Sequence, residues 1–334
     1  MAEEVEFFAA LDAALTPLTT ARGLLAVVER AEREGVLRVL REGGSVADVA
    51  QRTGSSNDSA RTLCAALVAN GVAEAAAVGY RLTPFWRALT AEDAFIPLRD
   101  VLAQSRVIDV MLSRPEVTYA TIPAADREAF ARAVSPNPYA PDLVDRVGRD
   151  IAADRWWAPM IKGGRYLELG CGIAGRMLTL LQAMPMLRAV GVELDSHLAE
   201  EARRRAKDLG LQDRVEIVAG DATVYRADEP FDFGFWSQWF FPSATRDAAL
   251  ASLFANVRSG GVVRSPVFGD HQRMAAEPSS SEARLYALDR VMLDSWGVPE
   301  RTPEQLQMEF AAAGFTDVTV ERGEIMPVVY ARRP

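Results

Sequence analysis

The sequence has 334 residues, a formal net charge of −9 at pH 7 and a pI near 5.0. Its hydrophobic fraction of 49% and charged fraction of 25% are ordinary for a globular protein. The acidic balance argues against a general affinity for nucleic acid, which needs a basic surface. Cys64 and Cys171 lie far apart and outside any C-x-x-C pair, so neither a disulfide framework nor a zinc site is indicated.

We predict no metal site, because His197 and His271 are the only histidines and neither has an acidic cluster around it. We also expect no membrane partner and a cytoplasmic location. No apolar run approaches the ~18 residues of a membrane span. The acidic start of the sequence is unlike a signal peptide.

Residues 1–95 are predicted to form a winged-helix domain. Apolar residues at helical spacing predict helices within 5–41, further short helices follow, and 72–83 alternates weakly like a small hairpin. The recognition helix of a DNA-binding winged helix carries basic residues, whereas 55–69 contains a single arginine, Arg61. An apolar helix surface is more often a packing face. We therefore expect a homodimer formed through this domain and no contact with DNA.

Residues 96–160 are predicted to be a helical connector with a rigid kink. The run Ser135-Pro-Asn137-Pro-Tyr139 cannot be regular helix, because each proline fixes its own φ and restricts the residue before it. Asn137, Tyr139 and Trp156 could reach a substrate pocket in the next domain, and packing of the aromatic rings in the core is the alternative.

Residues 161–334 are predicted to form an α/β domain. Strands alternate with helices centred near Thr179, Ala202 and Leu250, which is typical of a parallel sheet. A last helix opens at Thr302-Pro303, and two strands around Gly323 should then pair antiparallel at the edge of the sheet. The predicted parallel strands are Arg165–Leu169, Ala189–Glu193, Val215–Ala219, Phe231–Trp236 and Val262–Phe268.

The run Glu168-Leu-Gly170-Cys-Gly172-Ile-Ala-Gly175 indicates a strand that enters a glycine turn and then a helix. The first glycines allow a tight turn and the close approach of a ligand, and we expect Gly175 to let the helix pack against the strand. Glu193 follows Gly172 at about the ~20-residue distance that places a carboxylate on a nucleotide ribose. These features predict a nucleoside-cofactor site, although the G-x-G-x-x-G pattern alone leaves NAD open.

Three features favour S-adenosylmethionine over NAD. Glu168 stands where a carboxylate can take up the amino group of a methionine moiety, and the same carboxylate would repel a pyrophosphate. Gly220-Asp221-Ala222 ends the third strand, where the aspartate can accept a hydrogen bond from the adenine amine. A dinucleotide fold would add a second βαβ half where this chain has an antiparallel hairpin.

On these motifs the sequence resembles the class I S-adenosylmethionine-dependent methyltransferases. It is most similar to small-molecule O-methyltransferases that carry an N-terminal winged-helix dimerisation domain, and the resemblance covers nearly the whole chain. It implies an α/β fold with a Rossmann-like sheet and an antiparallel C-terminal hairpin, joined to a mainly α-helical N-terminal domain. It also implies S-adenosylmethionine as cofactor, S-adenosylhomocysteine as product and a small molecule as acceptor.

The resemblance assigns roles to individual residues. Glu193 would bind the ribose hydroxyls, Leu194 would lie against the adenine, and Asp221 with the Ala222 amide would read the adenine edge. The predicted cofactor-binding residues are Glu168, Gly170, Gly172, Gly175, Glu193, Leu194, Asp221, Ala222, Trp236 and Ser237.

The usual proton acceptor of this family, a histidine just after the fourth strand, is absent. The segment reads Phe235-Trp-Ser-Gln238-Trp-Phe-Phe-Pro242, and a glutamine cannot take up a proton at neutral pH. This departure argues against base-assisted O-methylation and favours a nucleophile that needs little help, such as an amine, a thiol, an acidic phenol or a stabilised carbanion. The candidate catalytic residues are Gln238 and His271, the latter either a displaced base or a loop residue without a role.

Aromatic side chains stand where the base is missing. The face of Trp236 could stabilise a sulfonium cation by about 0.5–2 kcal/mol. Trp239 and Phe240 could line a pocket for the acceptor, and packing in the core is the alternative.

Three functions are compatible with the sequence. The favoured one is a methyltransferase that acts on a small molecule, in secondary metabolism as the resemblance suggests. The second is a cyclase in which the amine of S-adenosylmethionine attacks its own γ-carbon, giving azetidine-2-carboxylate and methylthioadenosine. The third is a non-catalytic dimer that senses the cofactor.

Overall fold

The computed structural model describes residues 2–269, 271–322 and 326–334. The chain forms two compact units, residues 1–102 and 103–334. The predicted connector, 96–160, is not a unit of its own, because most of it belongs to the second unit.

The first unit has the order of elements of a winged helix. A capping box between Ser45 and Asp48 opens α3, and the Ser56 side chain caps α4, so polar residues ahead of apolar runs begin both helices. The two short strands pair antiparallel, as the weak alternation predicted. The elements are α1 (Ala2–Arg33), α2 (Val36–Glu42), α3 (Val46–Thr53), α4 (Asn57–Ala69), β1 (Ala73–Ala75), β2 (Tyr80–Leu82), α5 (Pro84–Leu89) and the start of α6 (Leu98–Ser113).

The α1 helix exposes an apolar surface along its first half. Over residues 6–33 it is long and apolar enough to cross a membrane by length and composition alone. The expectation that no segment reaches spanning length is wrong for this helix by that criterion. Length and composition do not distinguish a membrane span from a helix that packs on another chain. Its exposed large apolar side chains are Phe7, Phe8, Leu11, Leu15 and Leu18.

The second unit is built on a seven-stranded sheet of order β5-β4-β3-β6-β7-β9-β8. Its first five strands are parallel, and β9 pairs antiparallel with both of its neighbours, so the predicted edge hairpin is confirmed. Gly323 lies outside the described residues. The strands are β3 (Gly164–Leu169), β4 (Leu187–Glu193), β5 (Val215–Ala219), β6 (Phe231–Trp236), β7 (Val257–Pro266), β8 (Thr316–Arg322) and β9 (Pro327–Arg332).

Helices cover both faces of the sheet, which explains why its central strands are apolar over their whole length. The predicted helices near Thr179, Ala202 and Leu250 are present, and a capping box at Thr302 opens the last one. The helices are α7 (Ala124–Val134), α8 (Pro141–Ala153), α9 (Gly175–Ala183), α10 (Ser196–Asp208), α11 (Arg246–Asn256), α12 (His271–Ala276), α13 (Ser281–Ser295) and α14 (Pro303–Ala312).

One row of side chains crosses the sheet near the carboxyl ends of the parallel strands. Glu168 of β3 pairs in register with Phe235 of β6, Phe235 with Arg264 of β7, and Arg264 with Tyr330 of β9. Residues paired in this way point to the same face. Two ionisable side chains, Glu168 and Arg264, thus lie on a face otherwise packed with apolar side chains.

Candidate active site

The turn after β3 is held to the end of β4 by the carboxylate of Glu193. Glu193 Oε2 accepts the Gly172 N–H at 2.7 Å, and Oε1 accepts the Asp195 N–H at 3.0 Å. Gly170 and Gly172 have φ of 74° and 54°, values that favour glycine. Within the described chain, a Cβ added to Gly172 would meet nothing within 4 Å. The turn therefore presents its backbone to open space.

Glu168 lies behind this turn as a buried carboxyl group with only 3% of its surface exposed. The Tyr166 hydroxyl donates to its Oε2 at 2.8 Å. Burial raises the pKa of Glu168 from 4.5 to about 7, while the charge of Arg176, the Tyr166 hydrogen bond and the charge of Arg264 act in the opposite direction. Near neutral pH the group is thus divided between its two protonation states.

The loops after β4 and β5 meet beside Glu193. The Gly220 N–H donates to the Glu193 carbonyl at 2.8 Å, which places Asp221 and Leu194 at one edge of the sheet. Leu194 is 76% exposed, an unusual state for a leucine. Asp221 Oδ1 accepts the N–H and the hydroxyl of Thr223, both at 2.8 Å, and the adjoining Ala222 is buried.

The segment after β6 is anchored by Arg246. Its guanidinium donates to the Gln238 side-chain oxygen at 3.0 Å and backbone oxygen at 3.1 Å, and pairs with Glu309 at 2.5 Å. The Gln238 amide nitrogen donates to the Pro266 carbonyl at 3.3 Å. The side chain of Gln238 therefore links elements of the fold, and its predicted catalytic role is not supported.

The Trp236 ring is also part of the core. It is fully buried, with the Arg246 guanidinium carbon 4.6 Å above it and Phe310 at its edge. Packing in the core, the alternative that the sequence left open, thus accounts for this ring, which contacts residues of α11 and α14; its contact with a sulfonium stays a prediction. Ser237 stays next to the glycine turn, since its N–H donates to Leu169 at 3.1 Å and its Cβ lies 3.4 Å from the Cβ position of Gly170.

An aromatic cluster adjoins the Glu193 loop. Phe240 lies 6.0 Å from Tyr119, 6.4 Å from Phe130 and 6.4 Å from Trp296, measured between ring centres. Burial, and then the charges of Glu193 and Asp195, raise the pKa of Tyr119. Phe240 thus packs among aromatic rings, the alternative that the sequence left open, and its place in an acceptor pocket stays a prediction.

Two comparisons identify this arrangement. Residues 167–261 match the family model described as a methyltransferase domain. The structure of human N-acetylserotonin methyltransferase in complex with SAM superposes with a TM-score of 0.71 at 17% identity, covering 98% of this chain and 97% of that one. The fold is that of a class I methyltransferase.

Curated sequences agree over shorter spans. The uncharacterized protein YjhP of Escherichia coli K12 is 31% identical over 96 residues, 29% of this chain and 36% of that protein. The trans-aconitate 2-methyltransferase of Azoarcus sp. strain BH72 is 26% identical over 192 residues, 54% of this chain and 71% of that protein. The chain thus spans about a third of the length of the first of these relatives.

Within the methyltransferase fold, Gly175 has a role different from the one predicted. A Cβ on Gly175 would lie 2.1 Å from Ser135 Oγ and 2.2 Å from the Pro136 carbonyl oxygen. The glycine therefore admits the kinked segment before α8. We expected Gly175 to allow close packing against a strand. Gly191 of β4 has that role instead, because a Cβ there would lie 2.7 Å from Cys171 Sγ.

His271 begins α12 and lies in a group of polar side chains. Its Nδ1 is 3.6 Å from Glu300 Oε1, and its Nε2 is 3.5 Å from the Tyr286 hydroxyl, which donates to Glu300 at 2.7 Å. The Tyr286 ring stacks on Phe268, and Phe268 contacts Trp239 edge to face. The rings of Tyr286 and Phe268 thus lie between His271 and Trp239, a predicted pocket residue.

Asp289 is one turn from Tyr286 on α13. Burial raises the pKa of its carboxyl from 3.8 to about 6. The sequence contains no local sign of this position, since an aspartate in an amphipathic helix is usually solvated.

Tyr139 and Trp156 lie away from the glycine turn. The Tyr139 hydroxyl is 3.5 Å from Asp208, the last residue of α10. The first residue of that helix, which follows the Glu193 loop, is about 18 Å away. The Trp156 ring stacks on the Tyr330 ring, with the ring centres 5.0 Å apart. Tyr330 belongs to β9, which is three strands, or about 14 Å, from β3. Asn137 Oδ1 accepts the Tyr139 N–H at 3.1 Å. The substrate contacts predicted for Tyr139 and Trp156 are therefore not supported, and core packing accounts for Trp156.

Sequence reasoning missed Tyr119, Phe130, Trp296, Arg246 and Arg264. Arg264 alone carried a signal, because a charged residue inside an apolar strand is rare unless it has a partner. Among the described residues, no group of three or more His, Cys, Asp or Glu side chains is placed to hold a metal ion.

Proposed function

We propose that the protein is a methyltransferase that uses S-adenosylmethionine to methylate a small molecule. The observation that carries this proposal is the Gly170–Gly172 turn, tied to Glu193 and open to space in front of Gly172, in a class I methyltransferase fold. The proposal is supported by the solved structure of N-acetylserotonin methyltransferase, a similar fold in complex with SAM.

The donor groups suit this cofactor. Each oxygen of Glu193 accepts one backbone N–H and keeps a lone pair for a ribose hydroxyl. The exposed Leu194 offers an apolar surface for the adenine, and Asp221 with the Ala222 amide offers an acceptor and a donor to its edge. Glu168, when ionised, attracts an ammonium group. S-adenosylmethionine carries its methyl group on a sulfonium, whose sulfur is a good leaving group without help from a metal or a covalent intermediate.

The remaining work is to position the acceptor and exclude water. Tyr119, Phe130, Phe240 and Trp296 form an apolar wall beside the cofactor residues, which suits an aromatic or apolar acceptor. His271 or Asp289 would take up a proton released by the acceptor. Burial raises the pKa of the Asp289 carboxyl to about 6, towards the range in which a general base works.

The proposal is tested by ligand binding. We expect purified protein to bind S-adenosylhomocysteine in calorimetry, and Glu193→Gln to weaken that binding at least tenfold because it replaces the ribose acceptor. Glu216→Gln is the matched control, an exposed glutamate on the neighbouring strand, and should bind like the wild type. Equal affinities of all three proteins would contradict the assigned site.

Mass spectrometry of the protein with S-adenosylmethionine then separates the functions. We expect no turnover until an acceptor is added, and S-adenosylhomocysteine afterwards. Methylthioadenosine together with a cyclic amino acid would establish the cyclase, for which the similar proteins described above offer no support. Binding without turnover across a panel of amines, thiols and phenols would indicate the sensor.

We further propose that the exposed face of α1 packs against a second copy of the chain. Its large apolar side chains would otherwise stand in water, and a dimer face is continuous with the apolar packing of the first unit. Replacing Phe7, Leu11 and Leu15 by serine should convert a dimer to a monomer in light scattering, whereas serine at the exposed Val78 of the hairpin should not. A wild-type monomer that sediments with vesicles would show instead that this helix binds membranes.

A further inference from the structure

Two arginines beside Glu168 have guanidinium groups without an ion-pair or hydrogen-bond partner in the described parts of the chain, Arg176 at the start of α9 and Arg264 on β7. The Nε of Arg264 is buried and bonded to no described residue. An arginine carries five N–H donors, so a buried one without an acceptor is costly. The described arginines that are buried as whole residues, Arg205 and Arg246, are satisfied by Glu201 and Glu309.

The two guanidinium groups share one aromatic ring. The guanidinium carbon of Arg176 lies 4.3 Å from the centre of the Phe235 ring, and that of Arg264 lies 6.0 Å from it. Arg264 is also 5.4 Å from the Tyr330 ring and 5.8 Å from the Trp157 ring. Ring faces stabilise a cation, but they accept none of its planar N–H groups. The donors therefore remain available to an anion.

The charges around this ring are unequal. Glu168, in register with Phe235, is the one carboxyl group in the row, and two arginines act on it. Neither arginine lies within ion-pair distance of Glu168 in the described structure, so the carboxyl group does not satisfy them. A ligand that brings one carboxylate would balance the row and accept the free N–H groups in the bidentate geometry that arginine prefers.

We propose that Arg176 and Arg264 bind the carboxylate of a ligand in front of Phe235. This inference rests on the proposed function, which supplies two sources of the same group. One is the methionine end of S-adenosylmethionine, whose ammonium would then face Glu168. The other is an acceptor that is itself a carboxylic acid.

The experiment compares S-adenosylhomocysteine with methylthioadenosine, which has the same nucleoside but no amino-acid end. Calorimetry is done on the wild type, Arg264→Gln, Arg176→Gln and Arg258→Gln, the last an exposed arginine of the same strand that pairs with Asp232. If the cofactor supplies the carboxylate, the two site variants bind S-adenosylhomocysteine about 10–100-fold more weakly and methylthioadenosine unchanged. Arg258→Gln should change neither.

A second arm tests the acceptor. Benzoate and its uncharged counterpart benzamide are titrated into the same proteins, with and without S-adenosylhomocysteine. Binding of benzoate but not benzamide, lost in Arg264→Gln, assigns the carboxylate to the acceptor. Unchanged affinities for S-adenosylhomocysteine and no arginine-dependent benzoate binding would overturn the proposal.

The melting temperature of Arg264→Gln and nucleoside binding by the wild type separate failure of this proposal from failure of the proposed function. The ligand-free Arg264→Gln protein should melt no lower than the wild type, because it loses a buried Nε–H that has no acceptor, whereas an arginine that stabilises the fold through its ring contacts would lower the melting temperature when replaced. A wild type that binds neither nucleoside would contradict the proposed function. The benzoate arm on the ligand-free protein would still decide the role of the arginines.

Discussion

Glutamine in place of Glu168 is expected to stabilise the ligand-free protein above pH 7 and to weaken cofactor binding. Burial raises the pKa of Glu168 from 4.5 to about 7, so the folded state holds this proton more tightly than the unfolded chain does. The associated stability is complete below about pH 4.5 and is lost as the pH rises to about 7. At about 1.4 kcal/mol per unit of pKa, the loss is about 3 kcal/mol at pH 8.

Denaturant unfolding at pH 5 and pH 8 measures this effect. The advantage of Glu168→Gln over the wild type should grow by about 2–3 kcal/mol between the two values. The exposed Glu216→Gln serves as control and should show no such growth. In calorimetry, Glu168→Gln should bind S-adenosylhomocysteine at least tenfold more weakly, because the ammonium loses its counter-charge. Parallel pH profiles of wild type and variant would contradict the burial of an ionisable group at this position.

Replacing Arg246 by alanine is expected to cost about 3–5 kcal/mol of stability, since it breaks a buried network of one ion pair and two hydrogen bonds. Arg246 is 2% exposed, pairs with Glu309 and donates to both oxygens of Gln238. Its removal leaves both Gln238 oxygens without this donor, leaves Arg301 as the ion-pair partner of Glu309, and uncovers the Trp236 ring.

Arg301→Ala is the matched control for this substitution. Arg301 pairs with the same Glu309 at 2.7 Å, but its side chain is 25% exposed, and such a pair contributes about 1 kcal/mol or less. Denaturant unfolding should therefore separate the two variants by at least 2 kcal/mol. Equal destabilisation by Arg246→Ala and Arg301→Ala would argue against a buried pair.

The order of strands and helices in the second unit was predicted from short sequence patterns. Apolar runs such as Leu167–Leu169 predict buried strands because helices cover both faces of a parallel sheet. Capping residues such as Ser45, Ser56 and Thr302 begin helices through hydrogen bonds to nearby backbone N–H groups. Both signals act over a few residues, which is why the sequence contains them.

The candidate site also contains residues that local pattern predicted and residues that it did not. Spacing predicted that Glu193 and the glycine turn belong together, because the carboxyl ends of neighbouring parallel strands meet at one edge. Spacing could not show that Trp236 points to the opposite face or that Arg246 occupies the Gln238 amide. A partner that lies in another helix leaves no local mark on either segment.

By itself the sequence determined the α/β order, the glycine turn and the acids at Glu168, Glu193 and Asp221, since these depend on short-range backbone geometry and strand spacing. Only the tertiary structure decided which side chains from distant segments lie together. It packed Tyr119 against Trp296, and brought Arg176 and Arg264 to one ring from segments 88 residues apart. The physical reason is that a side chain's environment is set by the elements packed against it, and those lie far away along the chain.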